Sequence, residues 1–451
     1  MNSPKDRRCG SRYSRSTATA ASGCRSRRCL TTEAGRRPGR RYHETQIPGG
    51  PRVLSRPMEQ TQSVALGLMV DTGSRDETPE QSGIAHALEH MLFKGTARLS
   101  VDQLSERLDL LGGTANAFTS RERTCFHIRV LHEDWPEALE ILMDMLLEPA
   151  LPQEEWQRER EVIFSEMAMV DDNPDEWAFE RHMGAIFPDH GLGRPTLGSH
   201  ETLNGFDHTT LRAFLEARYR PPRLQVMAAG RIDHQRLCDA VAARRWPGGG
   251  AQEARNDRPM AGGRWNLLPR EIEQAHIIAS FPGIPVASEE RPQAWLANQM
   301  LGGGMSSLLF REVREKRGLA YSVGSHLSTY QHQGIWSISC GTEPELMDRC
   351  LQVIRDALSR FAERIDPEAL ARAKRQMEVQ LRMAMDSVDG QMMALSARFN
   401  EEEVVDPLEW SRRIRATDAG TVQAWIQRRL EQPASWSFCA PQRALERLPA
   451  G

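Results

Sequence analysis

Two histidines and a glutamate share five residues at His86-Ala-Leu-Glu89-His90. The flanking Ile84, Ala85, Leu88, Met91, Leu92 and Phe93 give the stretch a helical apolar period that ends at Gly95. On a helix, positions i and i+4 lie one turn apart on the same face. Two imidazoles so placed can hold one Zn²⁺ ion, and Glu89 can then reach a water on that ion as a general base. A zinc site of this kind needs a further protein ligand.

A candidate lies 76 positions beyond His90, in Glu154-Glu-Trp-Gln-Arg-Glu159-Arg-Glu-Val-Ile-Phe-Ser-Glu166. Glu159 and Glu166 are seven apart, two helical turns, and so share a face. A glutamate on a helix is usually solvated. The apolar Val162 and Ile163 between these two predict a partly buried helix instead.

His-x-x-Glu-His followed about 75 residues later by Glu-Arg-x-Val-Ile-x-x-Glu resembles the pitrilysin (insulinase-like) family of zinc metallopeptidases. The family motif reverses the commoner His-Glu-x-x-His order. The likeness is greatest to the β subunit of the mitochondrial processing peptidase and its short bacterial relatives, over roughly residues 45–440. It implies one Zn²⁺ per chain on His86, His90 and Glu166. It also implies Glu89 as catalytic base and Glu159 as a second acidic residue of the catalytic site.

Two more segments carry the resemblance. Gly112-Gly-Thr-Ala-Asn116-Ala117-Phe-Thr119 is similar to the family's edge strand beside the metal, where a substrate pairs with Asn116 and Ala117. An edge strand offers unpaired N–H and C=O groups, so an extended peptide can add to it as one more strand. Gly302-Gly-Gly-Met-Ser-Ser-Leu-Leu-Phe-Arg-Glu-Val-Arg314-Glu-Lys-Arg-Gly-Leu-Ala-Tyr321 is similar to the segment whose Arg and Tyr reach substrate across a cleft. The family's Ser-Ser-Arg-Leu-Phe reads Ser-Ser-Leu308-Leu-Phe here, without touching Arg314 or Tyr321. An Arg can bind a peptide carbonyl or carboxylate, and a Tyr hydroxyl can donate to a developing oxyanion.

The elements that must position these residues follow from pattern. Ser63–Val70 and Leu224–Gly230 are apolar enough to be buried strands, and 124–130 alternates as a strand. Helices are expected at 99–111 with Ser100 as N-cap, at 133–147 and at 153–170, the last ended by Asn173-Pro174. Residues 247–263, rich in Gly and Pro, read as a linker. Beyond it the plan repeats weakly: 275–281 echoes 63–70, and 291–301 echoes the first histidine helix without its ligands. Further helices are expected at 351–361 and 367–385.

The expected fold is α+β, with two homologous domains facing each other across a cleft. Each is a mostly antiparallel sheet with helices packed on one side. The divisions are an Arg-rich extension (1–42), a zinc-binding catalytic domain (43–246), the linker (247–263) and a substrate-binding domain without metal (264–451).

Composition sets the bounds. At 451 residues the chain is too long for one ordinary core. With 39% hydrophobic residues and no apolar run near 18, it has no membrane span. Eight scattered Cys without a Cys-x-x-Cys pair argue against a thiolate zinc site and for free thiols. Residues 1–41 hold 12 basic and 2 acidic residues, leaving 46 basic against 59 acidic, a net −13, in the rest. That acidic body favours basic peptides or reflects plain solubility. The extension reads as an upstream addition to a bacterial cytoplasmic protein, or as a transit peptide to the mitochondrial matrix. The expected partners are a peptide substrate and a second subunit, identical or related. A scaffold subunit of the same family is the alternative to an enzyme. No nucleic acid is expected.

Overall fold

A computed structural model describes residues 42–249, 254–255, 257–400 and 404–449. The extension at 1–41, with its Cys9, Cys24 and Cys29, and residues 250–253 and 256 of the expected linker lie outside the described residues.

The first half runs β1 (His43–Gln46), β2 (Arg52–Pro57), β3 (Ser63–Val70), α1 (Ile84–Leu92), α2 (Val101–Leu110), β4 (Thr114–Thr119), β5 (Thr124–Leu131), α3 (Trp135–Leu147), α4 (Gln153–Asp172), α5 (Pro174–Ile186), α6 (His200–Asn204), α7 (His208–Arg218), β6 (Leu224–Gly230) and α8 (His234–Ala242). The second half runs β7 (Trp265–Pro269), β8 (Ala275–Pro282), α9 (Arg291–Gly302), a π-helical turn (Phe310–Glu315), β9 (Ala320–Thr329), β10 (Gly334–Thr342), α10 (Met347–Glu363), α11 (Pro367–Ala384), α12 (Val388–Ala394), α13 (Pro407–Ala416), α14 (Ala419–Leu430), β11 (Ser435–Ala440) and α15 (Gln442–Leu445).

The two sheets share a plan. The first has the order β1-β2-β6-β3-β5-β4 and the second β7-β11-β8-β10-β9. In each, one pair is parallel, β2 with β6 and β7 with β11, and the other pairings are antiparallel. β8 therefore stands where β3 does, α9 follows it as α1 follows β3, and β4 and β9 are the corresponding open edges. The fold is α+β with two homologous domains.

Each half packs its own helices on one side of its sheet, and the other side is covered by a helix of the other half. On β3, Val64, Leu66, Leu68 and Val70 pack into the main core of the first half, with α1 and α3. Ala65 and Met69 point the other way, against Val388, Met392 and Leu395 of the second half. Helix α12 thus lies on the far face of the first sheet, and α5 of the first half lies on the far face of the second, against β8 and β11. Burial on two faces explains why β3 is a continuous apolar run where a one-faced strand would alternate. Tyr42, at the end of the expected extension, is buried in that same far-face cluster.

The described part of the 247–263 segment is held at Arg255, whose guanidinium pairs with Asp71 at 3.1 Å and Asp76 at 2.8 Å and reaches Gln331 of the second half at 2.8 Å. Among the described residues, no helix is long and apolar enough to cross a membrane, and Cys125, Cys238, Cys340, Cys350 and Cys439 are buried.

Candidate metal centre

The site is built on one face of α1. Ile84, Ala85, Ala87, Leu88, Met91 and Leu92 are buried, which leaves His86, Glu89 and His90 half-buried on the opposite stripe. The helix begins abruptly. Gly83 takes φ +93°, a left-handed value that suits glycine, and a Cβ there would stand 2.7 Å from the Leu197 carbonyl oxygen. The Glu77 carboxylate accepts the N–H groups of Gly83 and Ala85, each at 2.9 Å, and so caps the positive end of the helix. Burial nevertheless pushes the Glu77 carboxyl up to about 8.

α4 crosses α1 and supplies the carboxylates. Glu166 Oε2 lies 3.7 Å from His86 Nε2, and its Oε1 lies 3.6 Å from His90 Nε2. One donor atom from each of these residues falls within 4.8 Å of the others. A tetrahedron with bonds of about 2.1 Å has edges of about 3.4 Å, so the spacing suits one small divalent ion. The chemistry of the donors agrees. Burial and the neighbouring His90 push the His86 imidazole down to about 4, so it stays neutral and keeps a lone pair. Glu159 stands behind this set. Its Oε2 accepts the Nδ1 proton of His90 at 3.0 Å, which leaves the lone pair on the Nε2 facing Glu166. Its Oε1 pairs with Lys94 at 2.7 Å. Burial alone would raise the Glu159 carboxyl, but Lys94 and His90 outweigh it and hold it below the usual range.

Glu89 sits beside the cluster. Burial raises its carboxyl, with Thr119 and His90 opposing the rise. Thr119 Oγ1, at the end of β4, donates to its Oε2. β4 is the open edge of the first sheet. Asn116 is exposed there, and its Oδ1 accepts the Ala117 N–H at 2.8 Å. Past Glu166 a cavity of about 880 Å³ opens between α4, α5 and the 193–200 loop of the first half and β8, β9 and β10 of the second.

The structure brings His86, Glu89, His90, Glu159 and Glu166 together, with β4 alongside. Arg314 and Tyr321 are brought to each other: Arg314 donates to the Tyr321 carbonyl at 2.8 Å and lies over its ring. Among the described residues, no hydrogen bond or ion pair joins them to the histidine cluster, and Tyr321 is 75% exposed. α4 is partly buried, as expected: Trp156, Ile163 and Met167 face the core, while Val162 is 45% exposed on the stripe that turns away from it. Thr119, Lys94 and Glu77 were not singled out for the site by the sequence.

Residues 52–200 match the family model described as insulinase, peptidase family M16, and residues 205–377 match the one described as peptidase M16 inactive domain. A protein of Streptomyces coelicolor named as an uncharacterized zinc protease is 37% identical over 80% of this chain and 82% of its own. The uncharacterized zinc protease YmxG of Bacillus subtilis is 35% identical over 76% of this chain and 84% of its own. Among solved structures, a protease from Helicobacter pylori superposes with a TM-score of 0.83 at 18% identity, over 89% of this chain and 99% of that one. A peptidase M16 inactive domain from Pseudomonas fluorescens gives 0.81 at 19% identity, over 89% of this chain and 98% of that one.

Proposed function

The chain belongs to the insulinase family of peptidases, M16, and from that premise we propose that it is a zinc-dependent endopeptidase acting on peptides bound in extended form. The observation that carries this is the meeting of two imidazoles and a carboxylate beside the half-buried Glu89 at an open sheet edge. The zinc protease names of its relatives support the metal and the reaction class. In this reading residues 43–246 are catalytic, and 264–451 form the domain without metal.

His86, His90 and Glu166 would hold one Zn²⁺, which when bound supplies a Lewis acid that polarises a carbonyl and acidifies water. The protein residues do the rest. The outward N–H and C=O groups of β4 around Asn116 and Ala117 pair with the peptide backbone, which carries a scissile bond past Glu89. The Asn116 amide must release the Ala117 N–H for that pairing. Glu89 has one oxygen fixed by Thr119, so the other is left to take the proton of the attacking water and to give it to the leaving amine. Its raised proton affinity suits both steps. The acidic lining of the cavity, Asp171, Asp175 and Glu176 among it, supports basic or unfolded segments as substrates.

Tyr321 would donate to the developing oxyanion, with Arg314 gripping the peptide. The exposure of Tyr321, and the lack among the described residues of any hydrogen bond or ion pair from this pair to the cluster, support a dimer, of two identical or two related chains, in which the pair serves the partner's site. Light-scattering mass alone and with peptide tests this, and a monomer with full activity would refute it.

The assignment of Glu89 is tested by Glu89→Gln. Zinc content should stay at one per chain while peptide cleavage falls by about 10²–10⁴-fold. Undiminished cleavage would remove Glu89 as base, and absence of zinc from the wild-type protein would leave the scaffold alternative.

A further inference from the structure

The segment that presents Arg314 is not an α-helix. Phe310–Glu315 is a π-helical turn, in which the Lys316 N–H reaches back to the Arg311 carbonyl at 3.0 Å. Such turns are rare and recur at functional sites. This one needs a hold, and a single side chain supplies most of it. Glu312 is buried, its side chain 7% exposed, and its two oxygens accept from three cations. Oε1 takes Lys316 at 2.6 Å, and Oε2 takes Arg317 at 2.9 Å and Arg360 at 3.0 Å. Arg317 also donates to the Glu312 carbonyl at 2.7 Å. Lys316 and Arg317 lie on the exit from the turn, and Arg360 lies on α10. The carboxylate therefore ties the turn both to its own exit and to a neighbouring helix. Burial would raise the Glu312 carboxyl, but these cations outweigh it and hold it at about 2, so the clamp stays charged at any physiological pH.

Two residues on, Arg314 lies between rings, 4.8 Å from the centre of Phe310 and 5.3 Å from that of Tyr321. The partner strand contributes too. The β9–β10 register slips between Gly341 and Thr342, pairing Ser322 with Gly341 and Ala320 with Thr342 and leaving Tyr321 in a bulge. A bulge re-aims the side chain it carries. A wide turn, a bulge and a buried clamp thus act together on one Arg–Tyr pair.

We propose that Glu312 is the positioning residue of the second half: through Lys316, Arg317 and Arg360 it fixes the π-helical turn and so sets where Arg314 and Tyr321 stand to grip the peptide. The proposal rests on the reading above that gives this pair to the substrate. Glu312 itself is buried under three cations and acts only through the turn.

Glu312→Gln keeps the shape and removes the charge. Amide hydrogen exchange over residues 313–321 should rise about tenfold or more, since the local hold is lost. The kcat/KM for a fluorogenic peptide should fall about tenfold, with zinc content unchanged because the metal residues sit in the other half. In an Arg314→Ala background the same substitution should alter kcat/KM by less than about twofold, because both changes remove one unit. Arg360→Gln, which deletes one cation from outside the turn, should give a smaller effect in the same direction. Unchanged exchange in both Glu312→Gln and Arg360→Gln overturns the clamp. A loss of kcat/KM that persists in full in the Arg314→Ala background overturns action through Arg314. If Arg314→Ala alone leaves kcat/KM unchanged, the substrate role of the pair fails while the exchange result still reports on the clamp.

Discussion

Lys94 and Glu159 bear on the site through one atom, Nδ1 of His90. Glu159 holds that proton and Lys94 holds Glu159, so the His90 ring is fixed in orientation and tautomer before any ion arrives. Glu159→Gln keeps the shape but weakens the acceptor. Zinc affinity, read by competition with a chromogenic chelator, should fall about 10–100-fold, with the fold unchanged by circular dichroism. Thr119 acts on the base instead of the metal. Thr119→Val removes the donor to Glu89 Oε2, a hydrogen bond to a charged group worth about 1.5–3 kcal/mol. The expected result is a fall in kcat of about tenfold or more with zinc content unchanged; a loss of zinc would mean that Thr119 supports the ligands and not the base. The donors His86, His90 and Glu166 were legible because helical spacing alone puts the imidazoles together, and a seven-residue interval fixes which face of α4 joins them. Thr119 and Lys94 were not. Their contacts span 30 and 65 residues and exist only once β4 and α4 have docked on α1.

At the scale of elements, the entry to α1 sets the site more than its length does. The chain arrives from the Glu77 turn, swings through Gly83 at φ +93°, and starts a nine-residue helix with both imidazoles already inside. Gly83→Ala would strain the backbone by about 1–2 kcal/mol. Its Cβ would also meet the Leu197 carbonyl at 2.7 Å and the Gly198 Cα at 2.8 Å, backbone atoms that cannot swing aside. The denaturation midpoint should drop, and zinc content should fall with it because α1 must shift. A variant as stable and as zinc-loaded as wild type would show that the entry does not govern the site. Strand β3 was legible as a buried run. That the run reports two covered faces was not, because the covering helix α12 lies more than 300 residues away. α5 escaped notice for a related reason. Its buried stripe of Ala178, His182, Met183 and Ile186 includes a histidine, and its partner is the other domain's sheet.

The molecule as a whole is closed by that exchange of helices, each half lending one to the far face of the other's sheet. His182 is the polar pin of the α5 contact. It is fully buried, and its two ring nitrogens share protons with Ser437 and Ser280, each at 2.8 Å. Ser280 passes the chain on to Ser337 at 2.7 Å. These partners are hydroxyls, which do not balance an imidazolium. Burial therefore pushes the His182 imidazole down to about 4. The sign follows from the proton count. Above pH ~6.5 the ring is neutral in both folded and unfolded chains, and the pin contributes fully. As pH falls below ~6.5 the unfolded chain takes up a proton that the folded one refuses until about pH 4. Stability drains across that window, by about 3 kcal/mol for this residue at 1.36 kcal/mol per unit. The half-buried His86 and His234 add slopes of the same sign, since partial burial pushes both down to about 4. A single profile therefore cannot isolate His182, but a difference can. His182→Gln keeps a group able to donate to one serine and accept from the other, and it cannot titrate. The variant should be less stable than wild type at pH 7, and the gap should shrink by about 3 kcal/mol on going to pH 4 in urea denaturation followed at both values. A gap that stays constant with pH would mean that the imidazole gains its proton as easily inside the protein as in water, and that the two halves are not pinned by a neutral ring.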